Sequence, residues 1–152
     1  MVTYDSRPDT FAHALVVAGY CDEIARQIEE RGNFHDASKM EEPELAVFNE
    51  FTPKLKESTY GSEEYKEYLK EMGAGLAHHY ENNRHHPEHF KNGINDMTLV
   101  DLVEMLCDWK AATQRHDNGD LKKSLEIQKD RFGISEQLAG ILENTAKELG
   151  WL

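Results

Sequence analysis

The segment NFHDASKM sets a histidine, His35, directly before an aspartate, Asp36, with Lys39 three residues further on. Imidazole nitrogens and carboxylate oxygens are common ligands of divalent transition metals, and a nearby ammonium group can neutralise a bound phosphate. A histidine-aspartate pair alone carries little information, because the pair occurs by chance in many proteins. Its meaning depends on whether other segments bring further ligands to the same position.

The segments that must position this pair are helical. Apolar residues recur at spacings of three and four along most of the chain, and the alternation typical of strands is nearly absent. The length suits one domain, so we expect an all-α, single-domain bundle of about six helices over residues 1–152. The predicted helices span approximately residues 9–32, 43–53, 62–83, 98–118, 120–131 and 135–149.

Further polar groups lie on the faces of these helices that should be buried. His13 belongs to the inward stripe of the first predicted helix, His79 to that of the third, and Asp108 to that of the fourth. Burying an imidazole or a carboxylate without a partner costs several kcal/mol, on the order of 2–7 for an uncompensated polar group. One divalent metal ion would satisfy these groups together with His35 and Asp36, and mixed nitrogen and oxygen ligands favour Mn, Fe, Co, Ni or Zn, with Mg possible.

The order of these residues resembles that of the HD-domain metal-dependent phosphohydrolases. The segment HALVVAGYCDEIARQI looks like the opening helix of that superfamily, and HDASK resembles its central motif. The segment LVEMLCDWKAATQR resembles the later helix whose aspartate, here Asp108, completes the metal site. HHYENNRHHPEHF is similar to a small family of phage and bacterial HD-like proteins that combine HD-x-S-K with an HHPE loop.

The resemblance implies a metal site with one or two ions. One ion would bind His35, Asp36, Asp108 and either His13 or His79. Ligands for a second ion would come from His79 and from the loop residues His85 and His86, with Asp36 shared between the ions. Such a site activates water for attack on phosphorus.

The resemblance also implies a small phosphorylated substrate, most simply a nucleotide. Asp36 and Lys39 are the candidate catalytic residues, because Lys39 lies one helical turn from Asp36 and could stabilise charge on the phosphate. The candidate substrate-binding residues are Lys39, His78, Lys110 and Arg115. Lys39 could equally form an ion pair with Glu42 or Glu44 on a solvated face.

The net charge of the chain restricts the kinds of molecule that it is expected to bind. The chain has 29 acidic and 17 basic residues and a formal net charge of −12, which disfavours long nucleic acids and anionic membranes. No apolar run is long enough to span a membrane, and we expect a cytoplasmic protein, in the host cytoplasm if it is phage-encoded. We expect Cys21 and Cys107 to be reduced and buried. The sequence does not decide between a monomer and a homo-oligomer.

Two other functions compete with hydrolysis. A binding module could keep the metal site without catalysis and capture a nucleotide signal or a host protein. Alternatively, the metal could be purely structural, in which case its coordination sphere should be closed by protein ligands.

Overall fold

A computed structural model describes residues 4–59, 61–115 and 119–152, and these residues form helices and connecting turns without a strand. The predicted all-α class is therefore confirmed for the described part of the chain. The α-helices are α1 (Arg7–Asn33), α2 (Glu44–Glu57), α3 (Glu63–Glu71), α4 (Gly73–Asn82), α5 (Leu99–Thr113), α6 (Leu121–Phe132) and α7 (Glu136–Glu148). Short 3-10 helices cover Ala37–Met40, Pro87–His89 and Gly93–Asp96.

The chain divides into two compact units, one ending at Phe34 and the other spanning His35–Leu152. The first unit consists mainly of α1, in which Pro8 occupies the first turn, where its missing N–H leaves no helical hydrogen bond unmade. No residue of α1 is buried, and apolar side chains such as Phe11 and Tyr20 are exposed.

Two of the predicted helix boundaries in the second unit are wrong. Pro53 lies inside α2 rather than ending it, because the loss of one backbone hydrogen bond does not prevent the helix from continuing to Glu57. The segment predicted as one helix over residues 62–83 is two helices, since Gly73 has a φ of +46° that interrupts the helical backbone after Met72. The predicted cap Thr98 is confirmed by a capping box with Asp101.

The apolar core of the second unit lies between α5, α6 and α7. Its buried residues are Met105, Leu106, Trp109, Leu121, Ile134, Leu142 and Ala146. Met105, Leu106 and Trp109 occupy one side of α5, as the helical periodicity predicts. Consequently α5 is anchored by its apolar side and can present acidic side chains on another.

A close approach between α2 and α4 brings the polar residues of this unit together. A Cβ atom at Gly75 would lie 2.6 Å from Cγ2 of Val47, so only glycine allows the two helices to come this close. The contact brings the first turn of α2 beside the middle of α4, where the polar residues described below lie.

The structure also bears on the predictions about membrane spans and about the two cysteines. None of the helices in the described ranges combines the length and the apolar character that crossing a membrane requires. Cys21 and Cys107 are free thiols, and Cys107 is exposed, so its predicted burial is wrong.

Candidate metal centre

Six histidine and aspartate side chains of the second unit converge in two overlapping groups. One group contains Asp36, His79, His85 and His86, and the other contains His35, His85 and Asp108. Within each group, the potential ligand atoms all lie within 4.8 Å of one another. They come from the turn after α1, from α4, from the loop after α4 and from α5. The fold therefore brings together ligands that are up to 73 residues apart in sequence (35 to 108).

Asp36 lies at the centre of these groups. Its Oδ1 atom is 3.4 Å from Nε2 of His79 and also 3.4 Å from Nε2 of His85, while its Oδ2 atom is 3.5 Å from Nε2 of His35. Asp36 Oδ1 and His85 Nε2 are buried and have no hydrogen-bond partner. Buried polar atoms are nearly always paired, so a pair of unpaired atoms facing each other fits a site for a cation.

Glu104 orients two of the histidines from α5. Its Oε1 atom lies 3.0 Å from Nδ1 of His35 and 3.0 Å from Nδ1 of His85. A carboxylate can only accept, so we assign the protons to both Nδ1 atoms. The Nε2 atoms then point towards Asp36, which is the arrangement in which a carboxylate holds the outer nitrogen of a metal-binding histidine.

Glu44 plays the same role at the start of α2. It is completely buried, and its Oε2 atom accepts from Nδ1 of His79 at 2.9 Å and from the Ser38 hydroxyl at 2.9 Å. Its Oε1 atom accepts from Nδ1 of His78 at 2.7 Å. Asn83 donates to Ser38 Oγ and to the backbone carbonyl of His79, both at 2.8 Å. These bonds fix the ring of His79 with its Nε2 atom facing Asp36.

The backbone at Asp36 has an uncommon conformation. Its φ and ψ values of 57° and 20° lie in the left-handed helical region, which aspartate and asparagine tolerate better than most other residues. Lys39 follows in the short 3-10 helix and donates to Asp36 Oδ2 at 2.6 Å. Its Nζ atom also lies 4.5 Å from the centre of the Phe48 ring, so the ammonium group is held beside the centre.

The carboxylates around His35 favour its protonated form. Asp108 and Glu104 raise the pKa of His35 to about 10, and the charge of Asp36 acts in the same direction. Burial opposes ionisation of Asp36, but Lys39 and His35 outweigh it and lower the pKa of Asp36 to about 2. Burial likewise opposes ionisation of Asp108, and the bond from His35 lowers its pKa. The protonated His35 ring therefore supplies positive charge between three carboxylates.

The pKa values of the more deeply buried histidines shift in the opposite direction. Burial, and then the positive charge of Lys39, lower the pKa of His79. The pKa of His86 is lowered to about 3 by burial and by the neighbouring His85 and His79 rings. The Nε2 atoms of His79 and His86 are 2.9 Å apart. Neutral imidazoles are the form that binds metal, so these two rings are ready to act as ligands near neutral pH.

The structure brings together most, but not all, of the predicted site residues. His35, Asp36, His79, His85, His86 and Asp108 converge, and Lys39 contacts Asp36. His13 lies on α1, in the first unit, and belongs to neither group found in the described part of the chain.

The remaining predicted substrate residues lie apart from the ligand atoms or have other partners. His78 is 40% exposed, and its Nδ1 atom is bonded to Oε1 of Glu44, whereas His79 is bonded to Oε2. The Lys110 ammonium group donates to the backbone carbonyl of Trp151 at 3.1 Å. Arg115 is exposed and lies two residues after the end of α5. None of these three side chains belongs to the two groups of ligand atoms.

Sequence reasoning missed the two buried glutamates. Glu44 lies in the acidic run EEPE, which was interpreted as a solvated face, and no periodic signal distinguishes it from its neighbours. Glu104 had a signal, because it lies three residues after Asp101 and four before Asp108 on a helix that is otherwise rich in apolar residues. Three carboxylates on one face of such a helix indicate a polar site rather than a solvated surface.

Comparison with known proteins identifies a family whose description gives no function. No curated protein and no solved structure matches the chain. A family model described as "Family of unknown function (DUF5662)" matches residues 3–148, which include every residue of the candidate metal centre. The chain therefore belongs to the DUF5662 family.

Proposed function

We propose that the chain is a metal-dependent phosphohydrolase that cleaves a phosphoester or phosphoanhydride of a nucleotide or a similar small molecule. The observation that carries the proposal is the convergence of histidine Nε2 atoms on Asp36, where Asp36 Oδ1 and His85 Nε2 are buried and unpaired. A divalent cation satisfies both atoms, and the nitrogen-rich ligands favour Mn, Fe, Co, Ni or Zn.

The uneven exposure of the centre favours catalysis over a structural metal. The His79 and His85 side chains are 2% and 1% exposed, whereas those of His35 and Lys39 are each 26% exposed. A structural site is closed by its protein ligands, while a catalytic site keeps one side accessible to substrate. The side of the centre that carries His35 and Lys39 is therefore the side on which a substrate would bind.

Different side chains of the centre would have different roles in such a reaction. A bound divalent ion would supply Lewis acidity towards a phosphoryl oxygen and would acidify water in its coordination sphere. Asp36, His79, His85 and His86 would hold it in one group, or His35, His85 and Asp108 in the other. Lys39 provides the positive charge that a phosphate needs in a protein with a net charge of −12. Phe48 and Asp36 hold the Lys39 ammonium group in position.

The motif order also supports phosphate chemistry. The segments HDASK and LVEMLCDWKAATQR resemble the metal-binding motifs of HD-domain phosphohydrolases, and both contribute side chains to the observed centre. The HHPE loop, which that resemblance connects with the second ion, contributes His85 and His86. The resemblance thus agrees with the geometry of the second unit and points to small phosphorylated substrates.

The test is metal-dependent turnover of a panel of nucleotides. Purified protein loaded with Mn, Co, Ni, Zn or Mg is assayed for release of phosphate, pyrophosphate or nucleoside. The Asp36→Asn variant should lose activity while staying folded, because asparagine also tolerates the left-handed backbone that Asp36 adopts. The matched control, Asp130→Asn, changes an exposed aspartate on α6 and should keep full activity.

A second variant separates phosphate binding from metal binding. Lys39→Gln should bind metal and yet turn over substrate at a greatly reduced rate, because it keeps every histidine but removes the ammonium group. Metal binding without turnover of any nucleotide would refute hydrolysis and select the binding-module alternative. A metal that no exogenous ligand can reach, and whose removal unfolds the protein, would select the structural alternative.

A further inference from the structure

We propose that Glu44 and Glu104 are the positioning residues of this centre, each fixing two histidine rings by accepting from their Nδ1–H groups. The inference rests on the proposed metal centre, because it assigns Nε2 as the ligand atom of His35, His79 and His85. It goes further by making metal affinity depend on two glutamates that are not ligands themselves.

Glu104 uses a single oxygen for both of its histidines. Oε1 lies 3.0 Å from Nδ1 of His35 and 3.0 Å from Nδ1 of His85, and the centres of the two rings are 4.2 Å apart. One acceptor with two lone pairs can serve both N–H groups. Because the rings come from segments 50 residues apart (35 and 85), Glu104 joins two separate parts of the chain at the centre.

Glu44 uses both of its oxygens. Oε2 accepts from His79 and from Ser38, and Oε1 accepts from the half-exposed His78. The Asn83 amide nitrogen also lies 3.0 Å from Nδ1 of His79, but its two hydrogens already have acceptors in Ser38 Oγ and the carbonyl of His79. Nδ1 of His79 is therefore free to donate to Glu44, which leaves its Nε2 atom as an acceptor, 2.9 Å from Nε2 of His86 and 3.4 Å from Oδ1 of Asp36.

Replacement by glutamine and by methionine separates hydrogen bonding from space filling. Glutamine at position 104 can present its carbonyl at the position of Oε1 and still accept from both rings. Glutamine at position 44 can accept from His79 and Ser38 while its amide faces His78, whose exposed ring can change tautomer. Methionine fills a similar volume but accepts no such bond, so a role in packing alone would not distinguish the two substitutions.

The first measurement is the tautomer of His79, read from long-range nitrogen-proton NMR correlations of the metal-free protein. We expect the proton on Nδ1 in the wild type and in Glu44→Gln, with His78 changing to the Nε2–H tautomer only in the variant. A proton on Nε2 of His79 in the wild type would overturn the positioning role, whether or not the variants fold. This measurement is independent of metal binding.

The second measurement is the affinity for Co²⁺, together with its visible absorption spectrum. Glu44→Met and Glu104→Met should bind about 10–100-fold more weakly than the wild type, the usual effect of losing such a partner, with altered spectra. Glu44→Gln and Glu104→Gln should recover most of the affinity. The control Glu41→Met changes an exposed glutamate near Glu44 and should bind like the wild type.

The outcomes separate the two proposals. Equal affinities for the methionine and glutamine variants would overturn the positioning role while leaving the metal centre intact. Failure of the wild type to bind Co²⁺ or any other divalent ion would overturn the metal centre itself.

Discussion

The pH dependence of metal binding follows from the charge state of His35. In the metal-free protein its ring lies among three carboxylates, with Nδ1 3.0 Å from Glu104 and Nε2 3.5 Å from both Asp36 and Asp108. These groups raise the pKa of His35 to about 10, so near neutral pH almost every molecule carries the imidazolium form. Before Nε2 can act as a ligand, His35 has to lose this proton.

The raised pKa of His35 determines how strongly the metal affinity should depend on pH. Between its ordinary value of 6.5 and about 10, His35 is mostly protonated in the metal-free protein. Each unit of pH in that range should therefore tighten metal binding about tenfold, or about 1.4 kcal/mol. Binding at about pH 7.5 should release about one proton from His35. His86, whose pKa is lowered to about 3, is already neutral there and adds no proton.

Calorimetric titration with Co²⁺ in buffers of different ionisation enthalpy counts the protons released. His35→Gln should bind more weakly and release about one proton fewer than the wild type. The matched control is His89→Gln, since the His89 ring donates to the Tyr80 carbonyl at 3.0 Å and belongs to neither ligand group. Equal proton release by the wild type and His35→Gln would refute the assignment of His35 as a protonated ligand.

Four further predictions concern stability. The free energy of unfolding of the metal-free protein, measured with urea, should fall as pH rises from 6.5 towards 10, because the contribution of protonated His35 is complete below 6.5 and is lost through its folded pKa. Gly75→Ala should destabilise the protein by about 1–3 kcal/mol through its clash with Val47. Gly140→Ala on α7, where a Cβ meets no atom within 4 Å, should instead stabilise it by about 0.5–1 kcal/mol in the same assay. A 100-fold excess of Co²⁺ over its dissociation constant should raise the free energy of unfolding by about 2.7 kcal/mol, and His85→Gln should abolish most of that gain.

Much of the centre could be predicted because its ligands occupy recognisable positions. The His35-Asp36 pair, the inward phase of His79 on α4 and the position of Asp108 on α5 follow from spacing and helical periodicity. His85 and His86 lie in a loop, where periodicity gives no information, and only the resemblance to HD-like proteins brought them into the ligand set.

Other features depend on tertiary structure that spacing does not encode. Glu44 looks like the exposed Glu41 and Glu42 in sequence, and it is buried only because the close contact at Gly75 brings α2 beside α4. The stripe that contains His13 likewise indicates a face suited to burial, but spacing does not identify the surface that would cover it.

The most direct test of the proposed metal centre is a crystal structure of the protein grown with Co²⁺ or Zn²⁺, with anomalous scattering used to locate the ions. We predict an ion bonded to Asp36 and to Nε2 atoms of His79, His85 or His86, at distances of about 2.0–2.2 Å. A second peak at His35 and Asp108 would mark a two-ion site. An anomalous map without a peak at Asp36, from crystals saturated with either metal, would contradict the proposal.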